Sequence, residues 1–121
     1  MDISTLANNA PATACRLLDY KVAGVVPGIV NDTWFLVVSG QAPCMNLEVR
    51  LMPLIYVSCP DYWRIELTGC LPGAICLKGI KDFTEVIPLK GITGFKGIEL
   101  VGASKSEKID VSGGCSPGGP V

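Results

Sequence analysis

Apolar residues in this chain come in short runs, and proline, glycine or an Asn-Asp pair ends each run before a helix could complete three turns. LDYKVAGVV (18–26) stops at Pro27-Gly28. TWFLVVSG (33–40) follows Asn31-Asp32 and ends near Pro43. NLEVRL (46–51) and LIYVS (54–58) flank Pro53, and YWRIELTG (62–69) follows Pro60-Asp61. FTEVIPLKG (83–91), KGIELVG (96–102) and EKIDV (107–111) complete the series. Val, Ile, Leu and aromatics dominate these runs, a composition that suits a pleated, half-buried surface. No window carries an apolar stripe at helical spacing, and the nearest candidate, Thr13 to Tyr20, runs into β-branched residues.

Three runs share one local pattern: Leu47-Glu48-Val49, Ile65-Glu66-Leu67 and Ile98-Glu99-Leu100. Apolar-charged-apolar alternation is the signature of a strand with one wet face. The fold expected is all-β, an antiparallel β-sandwich of seven or eight short strands. Pro53 and Pro88 then belong at edges or bulges, because proline cannot donate to a ladder. The tetrapeptides LKGI (77–80 and 89–92) and FKGI (95–98) repeat at unequal gaps, so each Lys-Gly reads as a turn between strands. In strand number and spacing the chain resembles immunoglobulin-like and fibronectin-type sandwiches, which implies that general architecture. The Cys…Trp…Cys spacing of true immunoglobulin domains is not met, since Cys44 and Cys115 straddle Trp63 but Cys115 lies in a Gly-rich segment. The expected organisation is an irregular lead (1–15), one sandwich domain (16–111) and a Gly/Pro-rich tail (112–121).

The six cysteines, Cys15, Cys44, Cys59, Cys70, Cys76 and Cys115, read best as a disulfide framework. Leu71-Pro72-Gly73-Ala74 fits a type II turn that would bring Cys70 to Cys76. Pairing Cys15 with Cys115 would tie the two irregular ends, leaving Cys44 for Cys59. Metal is the rival reading, but the chain has no histidine and no CxxC, so it lacks the ligand spacing of zinc, iron–sulfur or thioredoxin-like sites. The opening MDISTLANNAPATAC has an acid at Asp2 and no apolar centre, so it does not read as a signal peptide. Six cysteines still favour a secreted or periplasmic protein, with a leader not included in this sequence. The alternative is a cytoplasmic protein whose cysteines are six buried thiols.

Several function classes drop out. Without histidine there is no Ser-His-Asp or Cys-His mechanism. A net charge of −1 with no polybasic stripe gives nucleic acid no electrostatic handle. No apolar run is long enough for a transmembrane helix, so no membrane span is expected. GITGFKG (91–97) lacks the spacing of a phosphate-binding loop and reads as a hairpin connection. Asn31-Asp32-Thr33 is an N-glycosylation sequon, a short match that is common by chance. Glu48, Glu66 and Glu99 could supply carboxylates for an enzyme, but Arg50 and Arg64 share their faces, and cross-strand ion pairs explain the pattern as surface chemistry. No catalytic, cofactor-binding or metal-binding residue is assigned.

The apolar surplus is more informative. Only 17% of residues are charged and mean hydropathy is +0.43, so some apolar surface should stay exposed or meet a partner. In LEVRLMPLIYV (47–57) the alternation fails after Arg50, and residues 51–57 carry no charge. One face should meet the core, and the other needs cover from a loop of the same chain or from another protein. Leu54, Ile55, Tyr56, Tyr62 and Trp63 form the candidate contact surface, for a protein partner or a second copy of the chain. The function expected is a non-enzymatic binding or structural module. The alternatives are a small secreted, disulfide-stabilised effector or inhibitor, and a carboxylate enzyme built on the strand glutamates.

Overall fold

The computed structural model describes residues 14–73 and 75–115. These form eight strands and no helix: β1 (Ala14–Leu17), β2 (Val22–Pro27), β3 (Trp34–Cys44), β4 (Glu48–Pro53), β5 (Tyr62–Leu71), β6 (Lys78–Pro88), β7 (Gly97–Val101) and β8 (Ser106–Asp110). Seven of the eight apolar runs carry a strand. The run at 54–58 does not, because the chain leaves the sheet after Pro53. The segment with the nearest approach to helical spacing instead supplies β1 at Ala14–Leu17. Most of the expected 1–15 lead, and the end of the 112–121 tail, lie outside the described residues.

The strands make two sheets. The three-stranded sheet has the order β2-β3-β6 and is antiparallel throughout. In the five-stranded sheet β5 is central: β4 lies along one edge, and β1 and β7 share the other, followed by β8. The sandwich is not purely antiparallel, because β5 and β7 run parallel. The cause is the path between them. The chain leaves β5, crosses to the other sheet for β6, then crosses back, and two reversals restore its direction. Residues 89–96, including most of GITGFKG, are therefore a sheet-to-sheet crossover, not a hairpin.

Period-2 burial closes the core between the sheets. Trp63, Ile65 and Leu67 on β5, and Ile98 and Leu100 on β7, meet Leu36 and Val38 of β3 and Phe83 of β6. The intervening Arg64, Glu66 and Glu99 face out, as their alternation requires. Prolines obey the ladder rule: Pro27, Pro53 and Pro88 end edge strands, and Pro43 sits where the β3–β6 register slips between Ala42 and Cys44. Of the three Lys-Gly pairs only Lys90-Gly91 lies in a turn, with Gly91 at φ +82°; the others open β6 and β7.

All six cysteines are bonded, in a connectivity different from the one expected. Gly73 has the positive φ of the anticipated turn, +78°, and Ala74 lies outside the described residues. Cys70 nevertheless pairs with Cys15, which stands directly opposite it on β1 with a Cα separation of 4.1 Å. Cys76 pairs with Cys44 at the end of β3. The strands after and before that turn belong to different sheets, so Cys70 and Cys76 part company there. Cys115 pairs with Cys59, tying the segment after β8 to the loop before β5, in place of the expected Cys15–Cys115 and Cys44–Cys59 bridges.

Candidate functional site

The two outer faces of the sandwich differ in chemistry. Over the five-stranded sheet the outer side chains include Tyr62, Arg64 and Glu66 of β5, Glu99 of β7 and Lys108 of β8. Arg64 pairs with Glu66 of its own strand at 3.2 Å, not across strands as expected. The Tyr62 hydroxyl donates to Asp110 Oδ1 at 2.7 Å, and Lys108 Nζ lies 5.2 Å from the Tyr62 ring. This is a solvated, charged face. Glu48 stands apart near the far end of β5, opposite Cys70. Among the described residues no three His, Cys, Asp or Glu side chains converge as a metal set. None of the described segments is a helix long and apolar enough to cross a membrane.

The outer face of the three-stranded sheet is apolar. Cross-strand register sets Val26, Phe35 and Pro88 in one row and Gly24, Val37 and Val86 in the next. Val22, Ser39 and Thr84 follow, then Gln41 and Asp82. Val22, Val26 and Val86 are exposed, while Leu36 and Val38 between them on β3 are fully buried on the inner side. Gly24 leaves a notch in this face, with no heavy atom within 4 Å of where a Cβ would stand. The polar groups here satisfy one another: Ser39 Oγ and Thr84 Oγ1 are 3.0 Å apart, and Gln41 Nε2 donates to Asp82 Oδ1 at 3.0 Å. Covering the valine and Ser39–Thr84 rows would leave the two hydroxyls paired with each other, while the Asp82 carboxylate gives the face a charged end. The sequence carried the signal in WFLVV (34–38), where both strand parities are apolar. That is the logic applied to 51–57, and it points more strongly here because β3 is central and two-sided.

The residues singled out between 51 and 63 divide. Trp63 belongs to the core and its Nε1 donates to the Leu54 carbonyl at 2.9 Å. Tyr56 packs edge-on against Trp63 with ring centroids 5.0 Å apart. Tyr62 lies on the charged outer face, bonded to Asp110. Leu54 is half-buried, and its amide still donates to the Arg64 carbonyl at 3.0 Å. Only Ile55, 96% exposed, together with Val57 at 98%, projects as an apolar contact element. The loop alternates inward and outward like a strand without a partner, and Cys59–Cys115 anchors its far end.

Other apolar residues gather at the ends of the sandwich. Met45, Ile75, Leu77 and Ile80 are exposed around the Cys44–Cys76 bridge, where Asn46 Nδ2 donates to the Ile75 carbonyl at 2.7 Å and Asn46 Oδ1 accepts from the Leu77 amide at 3.0 Å. An open cleft at the end of β1 and β3 is lined by Arg16, Asp19, Gln41 and Pro43, with Asp19 already accepting from the Ser104 amide and hydroxyl. Comparison with known protein families, with curated proteins and with solved structures found no match.

Proposed function

We propose that this protein is a non-enzymatic, disulfide-stabilised β-sandwich module, secreted or periplasmic, that associates with a second copy of itself through the outer face of its three-stranded sheet. One observation carries the reading: the rows of Val26, Phe35 and Pro88 and of Gly24, Val37 and Val86 are apolar, and the Ser39 and Thr84 hydroxyls beside them are paired with each other. A like partner suits it best. The rows of valines offer no charge for a complementary partner to read, whereas an apolar face packs on its own copy about a two-fold axis. The Gly24 notch gives a side chain of the facing sheet somewhere to enter. Three disulfides favour an oxidising compartment. The two-layer arrangement supports an immunoglobulin- or fibronectin-like architecture in outline, with the β5–β7 pairing as a departure from its usual strand order.

A second reading rests on Ile55 and Val57: a loop with two projecting apolar residues, pinned by Cys59, could present an effector or inhibitor surface to another protein. Sedimentation equilibrium with two charged variants separates the readings. Val86→Lys should convert an associating protein to a monomer and leave the strand spectrum unchanged, while Ile55→Lys should have no effect on mass. A wild type that stays monomeric at millimolar concentration removes self-association and leaves the loop reading.

A further inference from the structure

We propose that Asn31 is an N-glycosylation site, modified from a lipid-linked oligosaccharide pyrophosphate, and that its glycan covers the apolar hairpin tip Ile29-Val30. The inference depends on the extracellular reading, in a eukaryotic secretory pathway. The sequon Asn31-Asp32-Thr33 is weak evidence by itself. The fold adds three independent observations.

Asn31 is exposed at the tip of the β2–β3 hairpin. The Thr33 amide donates to the Val30 carbonyl at 3.2 Å, the Thr33 hydroxyl donates to the same carbonyl, and Gly28 N donates to Thr33 O at 2.8 Å. Asp32 takes a left-handed φ of +64°, so Asn31 and Asp32 are the central residues of a tight turn. A bulky group on Asn31 therefore leaves from the apex of a turn, not from a packed surface. The second observation is redox. Every described cysteine is in a disulfide, and disulfides form in the oxidising lumen in which glycan transfer takes place in eukaryotes. The third is the tip itself. Ile29 is 104% exposed and Val30 68% exposed, adjacent to Asn31, and a bulky solubilising glycan is a means of shielding such a pair.

In the transfer, Asn31 Nδ2 attacks the anomeric carbon of the donor. The new N–C bond forms as the C–O bond to the pyrophosphate breaks. The pyrophosphate departs on its lipid carrier with the bonding pair, and the amide proton passes to a base of the transferase. Nothing is oxidised or reduced. In the folded hairpin the Thr33 hydroxyl is held by the Val30 carbonyl, so transfer belongs to the chain before the hairpin closes.

The test sends the full chain into the secretory pathway of a eukaryotic cell and recovers it from medium and cells alike. Treatment with a peptide N-glycosidase in heavy-oxygen water should remove the glycan mass and leave one heavy oxygen at position 31. Asn31→Gln and Thr33→Ala should lack the glycan, and Thr33→Ser should keep it. Enzymatic removal of the glycan should raise binding of a hydrophobic dye, and Ile29→Ser with Val30→Ser should cancel that rise. Disulfide-bonded protein at its unmodified mass overturns the glycan proposal alone. Unmodified protein with free thiols overturns the extracellular reading as well. A glycan whose removal leaves dye binding unchanged overturns the covering role.

Discussion

Tyr20 shows how a polar group is accommodated beside the core. Its side chain is buried, its hydroxyl donates to Glu107 Oε1 at 2.6 Å, and Lys105 Nζ lies 4.3 Å from its ring centroid. Burial first, then the hydrogen bond and charge of Glu107, raise the phenol well above its ordinary value of 10.0. Tyr62 is shifted in the same direction, chiefly by its hydrogen bond to Asp110. A phenol that holds its proton more tightly when folded contributes stability that is complete below the unfolded pKa and fades as pH rises toward the folded one. Through these tyrosines, unfolding midpoints in urea should therefore not change with pH near neutrality and should fall above about pH 10. Tyr20→Phe should reduce that alkaline loss, and at neutral pH should cost about 1.5–3 kcal/mol for the hydrogen bond to a carboxylate. Gly97 makes a second test at this scale. A Cβ there would collide with the Ile109 carbonyl across the β7–β8 pair, so Gly97→Ala should lower stability by roughly 2 kcal/mol, read as a shifted midpoint with unchanged slope. Neither site was legible in the sequence. The partner of Tyr20 lies 87 positions away, and the need for Gly97 arises only once β8 is laid beside β7.

At the scale of elements, the sequence was informative where the physics is local. Ile65-Glu66-Leu67 and Ile98-Glu99-Leu100 place their apolar residues inward and their glutamates outward from alternation alone. Pro53 and Pro88 mark strand ends from their missing N–H. Sheet membership is not local, and the disulfides follow sheet membership. Cys70 and Cys76 are close in sequence, but one stays on β5 while the other opens the crossing toward β6. The 54–58 run misled for a similar reason. Its outward-inward alternation is real, but past Pro53 it has no neighbouring strand, and Tyr56 turns in to pack against Trp63. The bridges should differ in what they protect. Cys59–Cys115 holds the loop before β5 and the segment after β8, neither of which belongs to a sheet. Cys59→Ser with Cys115→Ser should cost about 2–5 kcal/mol globally. Hydrogen exchange should show protection lost first at residues 54–61 and 112–115, with β3 and β5 still slow. Equal acceleration in β5 would show the bridge to be part of the sheet's own stability.

For the whole molecule, the decisive asymmetry is between a charged face on the five-stranded sheet and an apolar face on the three-stranded one. An isolated sandwich has no reason to leave one outer face apolar, since strand alternation supplies polar residues at no packing cost, as Arg64, Glu66 and Glu99 demonstrate. The size of the face sets the strength of the association. Three strands about 4.8 Å apart, over five residues at about 3.4 Å each, give an apolar centre of roughly 200 Å² in projection. That is small against the roughly 800 Å² per partner of a standard interface. The dimer should therefore be reversible, populated at high protein concentration and dissociated on dilution. Mass action then links assembly to stability, because only the folded chain offers the face. The melting temperature of the wild type should rise as protein concentration is increased, and that of Val86→Lys should not. Val86 suits the test because it is exposed on an edge strand, where a lysine is tolerated by the monomer but would be buried without a counter-charge between two sheets. Filling the notch gives the converse variant. Gly24→Val meets nothing within the chain, extends the valine row across β2, and replaces a glycine in a strand, so it should not weaken the monomer. In a dimer that uses the notch it should clash and weaken association; in one that merely stacks apolar rows it should strengthen it. Sedimentation of the wild type, Val86→Lys and Gly24→Val over one concentration series distinguishes these cases, and a wild-type melting temperature independent of concentration would remove the dimer altogether.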